Sequence, residues 1–312
     1  MGIKKIKIGI IGSGYMAEEY IKVLKKNYSI NVIGVVSKNL DNAKKFAKKN
    51  KINFFFSIDD MYKKTKPDGF IVAVSELALK KVLLKIFRYK STNLVEKPIG
   101  INYEESKFIT NIAKKSKSKN FVAFNRRHYE NINFLKKELI KDKSKRIVLI
   151  EDQEYQNYKD IFPKKVVKNW MYANSIHLID LFFVLCRGKI LSIKNKINFK
   201  CKQYSFILSE IKFKSGDIGI YKCLWNTPGP WSVSVNTEKK YYLLKPIEKL
   251  LIQEKRNKQP QEIKFINENY KPGLTNQIKM FVKSIQKKKN YLPTFEESLS
   301  SMKLVKRIYE KK

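Results

Sequence analysis

A glycine motif near the start of the chain has the residue types and spacing to bind phosphate through the backbone. Gly12-Ser13-Gly14-Tyr15-Met16-Ala17 follows the apolar run Ile6–Ile11 and precedes a helical pattern. Gly12 permits a tight turn, Gly14 lets the backbone approach a pyrophosphate, and Ala17 lets the helix pack closely on the strand. Because the free N–H groups at a helix N-terminus attract an anion, this order of elements predicts a dinucleotide-binding site.

The turn after the second predicted strand, Asn31–Val36, bears on which dinucleotide is expected. Enzymes that read NAD usually place Asp or Glu near this point to hold the ribose 2′-hydroxyl. Ser37-Lys38-Asn39 stands there instead, and no carboxylate follows until Asp41. A hydroxyl, a cation and an amide suit the extra 2′-phosphate of NADP, while a plain polar turn in a lysine-rich chain is the other interpretation. We therefore expect NADP as the cofactor, with NAD as the alternative.

A lysine occupies a second position where folds of this kind bind ligands. Lys97 lies in Leu94-Val95-Glu96-Lys97-Pro98-Ile99-Gly100, at the C-terminal end of the predicted strand Asn93–Val95. Ligands in open α/β sheets bind outside the carboxyl ends of the strands. This position favours a role for Lys97 at the ligand, whereas a surface charge is the alternative for one lysine among so many.

The elements that must position these residues alternate between strand and helix up to about residue 120. Parallel strands need crossover helices, so the alternation predicts an α/β fold with a doubly wound parallel sheet, a Rossmann-type domain over residues 1–120. After the first strand, the predicted strands are Asn31–Val36, Ile52–Phe56, Gly69–Val74, Asn93–Val95 and Phe121–Phe124, and the predicted helices are Glu18–Lys26, Leu40–Lys49, Ile58–Lys64, Leu77–Arg88 and Tyr103–Ser116.

From about residue 145 the pattern changes to short strands joined by polar or Gly-containing turns. Such a series predicts a large, mostly antiparallel sheet in an α+β domain over residues 121–312, for substrate binding and oligomerisation. The predicted strands are Arg146–Tyr155, Ile190–Phe199, Tyr204–Lys214, Ile218–Trp225, Trp231–Thr237, Tyr241–Leu244, Leu250–Gln253 and Glu262–Phe265, and the predicted helices are Ile176–Leu185, Gln277–Gln286 and Glu296–Lys311.

The formal net charge of +38 would suit a nucleic-acid partner, but the distribution of the charge argues against one. Only seven of the 66 basic residues are arginine, and the lysines are scattered over every predicted helix and loop. A nucleic-acid binder more often concentrates basic residues on one element and includes arginines for phosphate and base contacts. We therefore expect a lysine-coated surface with no specific nucleic-acid partner, which speeds the capture of phosphorylated or acidic ligands.

Length, hydropathy and cysteine spacing limit the class of protein further. The chain has 312 residues, 43% of them hydrophobic, which is enough for two domains of ordinary size. No apolar run approaches the ~20 residues that span a bilayer, and the first strand begins so early that we expect no signal peptide. Cys186, Cys201 and Cys223 are widely spaced without a metal-ligand pattern, which predicts buried thiols in a reducing compartment. We therefore expect a cytoplasmic protein that has no metal and no membrane partner.

Four separated blocks of sequence resemble one enzyme family. The Gly-x-Gly-x-x-Ala start together with the Glu-Lys-Pro block resembles the glucose-fructose oxidoreductase / inositol dehydrogenase / rhizopine-catabolism family, NAD(P)-dependent dehydrogenases that act on sugars and cyclitols. The likeness covers essentially the whole chain. It continues through Ala123-Phe124-Asn125-Arg126-Arg127-His128, Asn174-Ser175-Ile176-His177-Leu178-Ile179-Asp180 and Leu292-Pro293-Thr294-Phe295-Glu296-Glu297-Ser298.

The resemblance implies a catalytic role for Lys97. The matching lysine of the family is expected to take the proton of the substrate hydroxyl, or to hold its oxygen, as hydride leaves for the nicotinamide. A neighbouring cation or partial burial can draw the pKa of such an amine toward the working pH. The residues expected at the cofactor are Gly12, Ser13, Gly14, Tyr15, Met16, Ser37, Lys38, Asn39, Val74, Ser75, Glu96 and Lys97.

The resemblance also assigns His177 to the substrate. The matching histidine sits over the substrate and can exchange a proton with the reacting hydroxyl, although a lone histidine on a helix is more often a packed core residue. Family members commonly carry Asp four residues before it, where one helical turn brings the carboxylate beside the imidazole. This chain has Ala173 there, and Asn174 can supply a hydrogen bond but accepts no proton. We expect His177 and Lys97 to be catalytic and both, with Asn174, to contact substrate, without the family's full acid-base network.

Two adjacent arginines, Arg126 and Arg127, lie where the family lines the cleft between its domains. A guanidinium can bind phosphate or carboxylate through two hydrogen bonds, or it can anchor a structural ion pair. We expect one arginine in each role and carry both as candidate substrate-binding residues. Asp180, one turn after His177, matches a position usually assigned to structure. The aromatic-rich stretch Tyr155–Tyr172 either walls the substrate pocket or forms ordinary core.

The function predicted from these features is hydride transfer between NADP or NAD and a secondary hydroxyl or ketone of a sugar. The scarce, clustered arginines and the cationic surface favour a sugar that carries phosphate or a nucleotide, as in building activated sugars for surface polysaccharides. We also expect a homo-oligomer, a dimer or a tetramer, formed through the C-terminal sheet. The alternative is a binding or regulatory protein of the same fold with little turnover, and Ala173 is the residue that supports it.

Overall fold

The chain forms two compact units, described here by a computed structural model for residues 5–154, 161–198, 206–225, 227–256, 259–265 and 270–310. The first unit contains Met1–Asn125 and Glu268–Ser300, and the second contains Arg126–Asn267 and Ser301–Lys312. The division differs from the expected single boundary after residue 120, because a late segment of the chain returns to the first unit.

The first unit is built on a six-stranded sheet in the order β3-β2-β1-β4-β5-β6, in which every neighbouring pair is parallel. This confirms the predicted doubly wound sheet, and the order reverses between β1 and β4 as dinucleotide-binding folds require. The strands are β1 (Ile6–Ile11), β2 (Ile30–Val36), β3 (Asn53–Phe54), β4 (Gly69–Val72), β5 (Thr92–Val95) and β6 (Lys119–Val122), and the crossover helices are α1 (Tyr15–Lys25), α2 (Leu40–Asn50), α3 (Ile58–Thr65), α4 (Glu76–Ile86) and α5 (Tyr103–Ala113).

The carboxyl ends of these strands lie in one row. Ile11 of β1 pairs with both Val36 and Val72, Val72 pairs with Val95, and Val95 pairs with Val122. Because each of these residues is the last or near-last of its strand, the turns that follow them emerge at the same edge of the sheet. The predicted cofactor residues of this unit all follow these strand ends.

The second unit contains an eight-stranded sheet in the order β14-β13-β12-β11-β7-β10-β9-β8. Its neighbours are antiparallel except for β7 and β10, which run parallel, so the predicted mostly antiparallel sheet is confirmed. The strands are β7 (Ile147–Glu154), β8 (Ile190–Asn198), β9 (Phe206–Phe213), β10 (Ile218–Trp225), β11 (Ser232–Asn236), β12 (Lys240–Leu244), β13 (Leu250–Glu254) and β14 (Gln261–Ile263).

The helices of the second unit differ most from the sequence prediction. Helices α6 (Glu130–Lys141) and α7 (Lys164–Val167) were not predicted. The predicted helix Ile176–Leu185 consists of two single turns, α8 (Ile176–Ile179) and α9 (Phe182–Leu185), and it is preceded by the wide π-helical turn Met171–Ser175. Within the described part of the stretch 155–172, Trp170 and Tyr172 are buried in this unit, while residues 155–160 lie outside the described residues.

The late segment that returns to the first unit carries helix α10 (Leu274–Lys287), and α11 (Phe295–Tyr309) follows it. One face of α10 is apolar, and an apolar helix face is stable when it packs against a hydrophobic core. It joins the same buried cluster as the strands β1, β2 and β4 of the first unit through Leu274, Ile278, Phe281 and Val282. This packing is the physical reason that the late segment belongs with the nucleotide-binding sheet.

Two further findings concern the expected compartment and partners. Cys186 and Cys223 are buried, and Cys201 lies outside the described residues. Among the helices that the structure describes, none combines the length and the apolar character needed to cross a membrane.

Candidate active site

The glycine loop after β1 is tightly packed at its first glycine. Gly12 has φ +111°, which L side chains rarely adopt, and its N–H donates to the carbonyl oxygen of Val36 over 2.7 Å. A Cβ atom at Gly12 would lie 2.0 Å from the carbonyl oxygen of Ala73. Only glycine therefore allows β1, β2 and β4 to approach each other at this point, as the motif predicts.

The second glycine of the loop borders open space. Gly14 is the residue before α1, and a Cβ atom placed on it would meet no atom within 4 Å. The first N–H groups of α1 are not used within the helix, and they point toward this space. A pyrophosphate needs such a backbone cradle at a helix N-terminus, so Gly12–Ala17 fits the phosphates of a dinucleotide.

The end of β2 is joined to the glycine loop by a hydrogen bond. The Ser13 hydroxyl donates to the Ser37 hydroxyl over 2.9 Å, which brings two predicted cofactor residues together. Lys38 is exposed beside them. The Asn39 side chain caps α2, because its Oδ1 accepts from the backbone N–H of Asn42 over 2.9 Å. The amide oxygen of Asn39 is thus used in capping the helix, while Lys38 and Asn39 are both exposed and Ser37 is half-buried against Ser13.

Predicted residues after β4 and β5 reach the same edge. Val74 lies beside the glycine loop, since its Cγ1 is 3.4 Å from the Cβ position of Gly12. Ser75 is exposed and immediately precedes α4. The Glu96 N–H donates to the carbonyl oxygen of Val72 over 2.9 Å, and Lys97 follows directly, with a cis peptide bond to Pro98.

A buried tyrosine holds the Glu96 carboxylate. The Tyr20 hydroxyl on α1 donates to Glu96 Oε1 over 2.6 Å, and Gln277 on α10 lies against the same hydroxyl. Burial raises the pKa of the Glu96 carboxyl, while Lys97, the bond from Tyr20 and Lys271 act in the opposite direction. Nothing in the sequence pairs Tyr20 with Glu96, although a buried tyrosine hydroxyl usually needs a partner.

Lys271 is a second residue that the sequence did not assign to the cofactor side. Its Nζ lies 3.4 Å from the Met16 sulfur and 5.0 Å from the centre of the Tyr15 ring. The side-chain amide of Asn125 donates to the carbonyl oxygen of Pro272, the residue after Lys271, over 3.2 Å. This bond joins the segment that carries Lys271 to the residues that follow β6. The sequence placed residue 271 in the second domain, so it offered no reason to bring this cation to the glycine loop.

The remaining predicted residues belong to the second unit, where two of them lie near Trp231. His177 is buried on α8, with its ring centre 6.4 Å from that of Trp231. The Arg126 guanidinium lies over the Trp231 ring at 4.9 Å from its centre. A cation on an indole face is held by the ring quadrupole, so Trp231 orients Arg126. Sequence reasoning treated Trp231 only as the start of a strand.

Arg127 has a different environment from Arg126. Its Nε donates to Asp180 Oδ2 over 2.5 Å and its Nη2 donates to Asp180 Oδ1 over 2.7 Å. Asp180 is 1% exposed and also accepts a hydrogen bond from the Ser301 hydroxyl over 2.6 Å. Arg127 therefore makes the kind of ion pair expected of the structural arginine, inside the second unit.

A buried carboxylate lies beneath the segment that carries Asn174 and His177. Asp152 on β7 is fully buried, and the Tyr221 hydroxyl donates to its Oδ2 over 2.6 Å. Burial raises the pKa of Asp152, while the side chains of Ser175, Tyr221, Trp225 and Trp231 act as donors that oppose the shift. Ala173 is buried and Asn174 half-buried in the π-helical turn just before Ser175. Only its place in a predicted strand distinguishes Asp152 in the sequence.

Comparison with known proteins agrees with this geometry. Residues 6–124 match a family model described as the oxidoreductase family with an NAD-binding Rossmann fold. Glucose-6-phosphate 3-dehydrogenase of Bacillus subtilis is 28% identical over 127 residues, which make up 41% of this chain. The aligned part spans 36% of the Bacillus protein, so the match covers only about a third of its length.

Solved structures resemble the whole chain. A dehydrogenase from Chromobacterium violaceum has a TM-score of 0.87 at 15% identity, and the match covers 98% of this chain and 95% of that protein. UDP-N-acetylglucosamine 3-dehydrogenase from Acidithiobacillus ferrooxidans has a TM-score of 0.80 at 13% identity, with 97% and 96% covered. At such identities the likeness establishes the fold. The strand order and the glycine loop agree with the match of residues 6–124 to the oxidoreductase family with an NAD-binding Rossmann fold, the Gfo/Idh/MocA family that the sequence blocks resemble.

Proposed function

We propose that the protein is an NAD(P)-dependent oxidoreductase that transfers hydride between a nicotinamide cofactor and a secondary hydroxyl or ketone of a sugar. One observation carries the proposal: Lys97 lies two residues after the end of β5, and that end is in register, through β4, with the end of the strand that delivers the glycine loop. A proton-exchanging amine and a pyrophosphate cradle are thereby presented at the same edge of one sheet.

The reaction divides between the cofactor and the side chains. When bound, the nicotinamide ring accepts hydride from the substrate carbon or returns it. Lys97 Nζ holds the substrate oxygen and exchanges the hydroxyl proton, a step that typically contributes 10²–10⁴-fold to such rates. His177, buried beside Trp231 in the second unit, is the second proposed catalytic group.

The cofactor is NADP in this proposal, with NAD as the alternative. Ser37 and Lys38 support it, because they stand where a carboxylate would select the ribose 2′-hydroxyl of NAD. Lys271 adds a cation beside Tyr15 and Met16 that suits a phosphate-bearing ligand. The family description names NAD binding and leaves this preference to be measured.

The substrate is a sugar that carries phosphate or a nucleotide, as in the assembly of activated sugars for surface polysaccharides. The printed names of two similar proteins support this class, since glucose 6-phosphate and UDP-N-acetylglucosamine are both anionic sugars. Arg126 is the candidate anion-binding residue in this chain, because a guanidinium can bind phosphate through two hydrogen bonds and the Trp231 ring orients its plane. Asn174 is the proposed source of a neutral hydrogen bond to the substrate.

Assembly and location follow as further parts of the proposal. A homo-oligomer forms through the sheet of the second unit, where Ile147, Leu191 and Leu208 are 43%, 65% and 38% exposed. Sedimentation at micromolar concentrations tests this, and a monomer at all concentrations contradicts it. A cytoplasmic location rests on the cysteine pattern alone.

A substrate-screened turnover assay with both cofactors tests the function. Purified protein is incubated with NADP or NAD and with matched free, phosphorylated and nucleotide-linked sugars, while absorbance of the reduced cofactor is followed. Reduction of cofactor with at least one sugar is the expected result. Tight cofactor binding without turnover on any of them would favour the regulatory protein that Ala173 suggests.

A further inference from the structure

Three side chains from distant parts of the sequence meet inside the first unit. Tyr20 lies on α1, Glu96 follows β5, and Gln277 lies on α10. The Tyr20 hydroxyl is 2.6 Å from Glu96 Oε1 and 3.2 Å from Gln277 Oε1, and both Tyr20 and Gln277 are fully buried. A buried polar cluster of this kind persists only when its hydrogen bonds are satisfied.

The direction of these bonds follows from the number of protons. A tyrosine hydroxyl has one hydrogen, and the shorter contact to a charged acceptor takes it, so Tyr20 donates to Glu96. The hydroxyl oxygen then needs a donor from Gln277 rather than a second acceptor. If the Gln277 amide is rotated by 180°, its Nε2 lies against the Tyr20 hydroxyl. This orientation also gives Gln277 Nε2 a hydrogen-bond partner, which it otherwise does not have among the described residues. The chain of donors therefore runs from Gln277 to Tyr20 to Glu96.

The other oxygen of the carboxylate is also held. The backbone N–H of Lys97 donates to Glu96 Oε2 over 3.3 Å. The charged groups that face Glu96 are Lys97 from its own turn and Lys271 from the segment before α10, while Tyr20 faces it from α1. Both carboxylate oxygens of Glu96 are thus held by hydrogen bonds, one from the Tyr20 hydroxyl and one from the backbone N–H of Lys97. Lys97 is also the residue whose amine we propose exchanges the substrate proton.

We propose that Tyr20 and Gln277 are positioning residues that keep the Glu96 carboxylate ionised and fixed beside Lys97, so that turnover requires the ionised form of Glu96. The inference rests on the proposed function of Lys97. Neither Tyr20 nor Gln277 contacts substrate or cofactor in this proposal, and both act through Glu96. Burial raises the pKa of Glu96 and the bond from Tyr20 opposes the rise, so loss of the hydroxyl moves the pKa of Glu96 further upward.

The test compares Tyr20→Phe with Tyr89→Phe. Tyr89 is a matched control, because its hydroxyl also donates to a carboxylate of the first unit, that of Asp59. The carboxyl carbon of Glu96 is titrated by NMR in glutamate-labelled protein, with the signal assigned from Glu96→Gln. We expect the Glu96 midpoint to rise in Tyr20→Phe and to stay in place in Tyr89→Phe. An unchanged midpoint in Tyr20→Phe would overturn the proposal.

Turnover supplies the second readout. The acidic limb of the kcat profile should move with the Glu96 midpoint, so that Tyr20→Phe loses about tenfold at pH 6 and less than about twofold at pH 8. A midpoint that moves without the kcat profile would also overturn the proposal, since Tyr20 would then serve structure alone. Gln277→Met removes the amide at similar volume and should raise the titration midpoint of Glu96 by less than Tyr20→Phe does. It is the replacement variant for this test if Tyr20→Phe does not fold. Absence of turnover in the wild type would remove the proposed function, and the carboxyl titration would still decide whether Tyr20 controls Glu96.

Discussion

Arg127 and Asp180 form an ion pair with two hydrogen bonds inside the second unit, at 2.5 Å and 2.7 Å. Both side chains are largely buried, with 15% and 1% of their surface exposed. Buried pairs of this kind are costly to break, because removing one partner leaves the other charge desolvated. The adjacent Arg126 stacks on Trp231 instead. Two neighbouring residues of the same type are therefore used in different ways.

The first prediction separates these two arginines. Arg126→Ala should lower kcat/KM for a phosphorylated or nucleotide-linked sugar by about tenfold or more, the effect of one lost charge-assisted bond, and should change it little for the matched neutral sugar. Arg127→Ala should instead lower the free energy of unfolding by about 3 kcal/mol. Steady-state kinetics and urea unfolding of both variants measure these effects. Equal losses on charged and neutral sugars in Arg126→Ala would speak against an anionic substrate.

The second prediction concerns Lys97. Lys97→Met should lower kcat by at least about a hundredfold and leave the cofactor dissociation constant nearly unchanged, as expected when a proton-exchanging group is lost. Lys107→Met, an exposed lysine of α5, removes the same charge elsewhere in the first unit and serves as the control. Turnover close to the wild-type rate in Lys97→Met would end the catalytic assignment of this residue.

The third prediction concerns the choice of cofactor. NADP(H) should bind more tightly than NAD(H), and Lys38→Asp should narrow or invert the difference, because it restores a carboxylate where enzymes select the 2′-hydroxyl. Lys48→Asp makes the same change of charge at the far end of α2 and should leave the ratio of affinities unchanged. Fluorescence titration at one salt concentration measures the constants. A clear preference of the wild type for NAD(H) would contradict the prediction.

The fourth prediction concerns His128. Burial, with Lys136 and Arg127 nearby, lowers the pKa of this histidine to about 3 in the folded protein. The unfolded chain takes up the proton near pH 6.5, so the stability contributed by neutral His128 is present above that pH and is lost as the pH falls. Between pH 7 and pH 5 the wild type should lose about 2 kcal/mol more than His128→Gln does. Urea unfolding at the two pH values measures the difference, and equal pH dependence in both proteins would refute the assignment.

Much of the fold could be predicted because its signals are local. Alternation of apolar strands and amphipathic helices before residue 120 predicts the parallel sheet, and period-two patterns after residue 145 predict the second sheet. Helix α6 was missed although Ile132, Leu135 and Leu139 recur at helical spacing on its buried face. The return of α10 to the first unit could not be predicted. An apolar helix face indicates that the face will be buried, but it does not indicate which of the two cores will bury it.

The same distinction applies to the candidate site. The glycine loop and Lys97 could be found because each motif depends on a strand end beside it in the sequence. Tyr20 and Lys271 could not be found, since their partners lie far away along the chain: 76 residues separate Tyr20 from Glu96, and 255 separate Lys271 from Met16. Contacts of this separation arise only when packing brings the elements together.

The return of Glu268–Ser300 to the first unit has a consequence for how the protein is made. Domains generally fold as they emerge from the ribosome, in order from the N-terminus. Here Leu274, Ile278 and Phe281 join the same core as Ile6, so this core is incomplete until the chain has been synthesised as far as α10. The second unit emerges in between. Segment 6–124 carries every strand of the first sheet, and without α10 we expect it to expose the apolar surface that this helix covers.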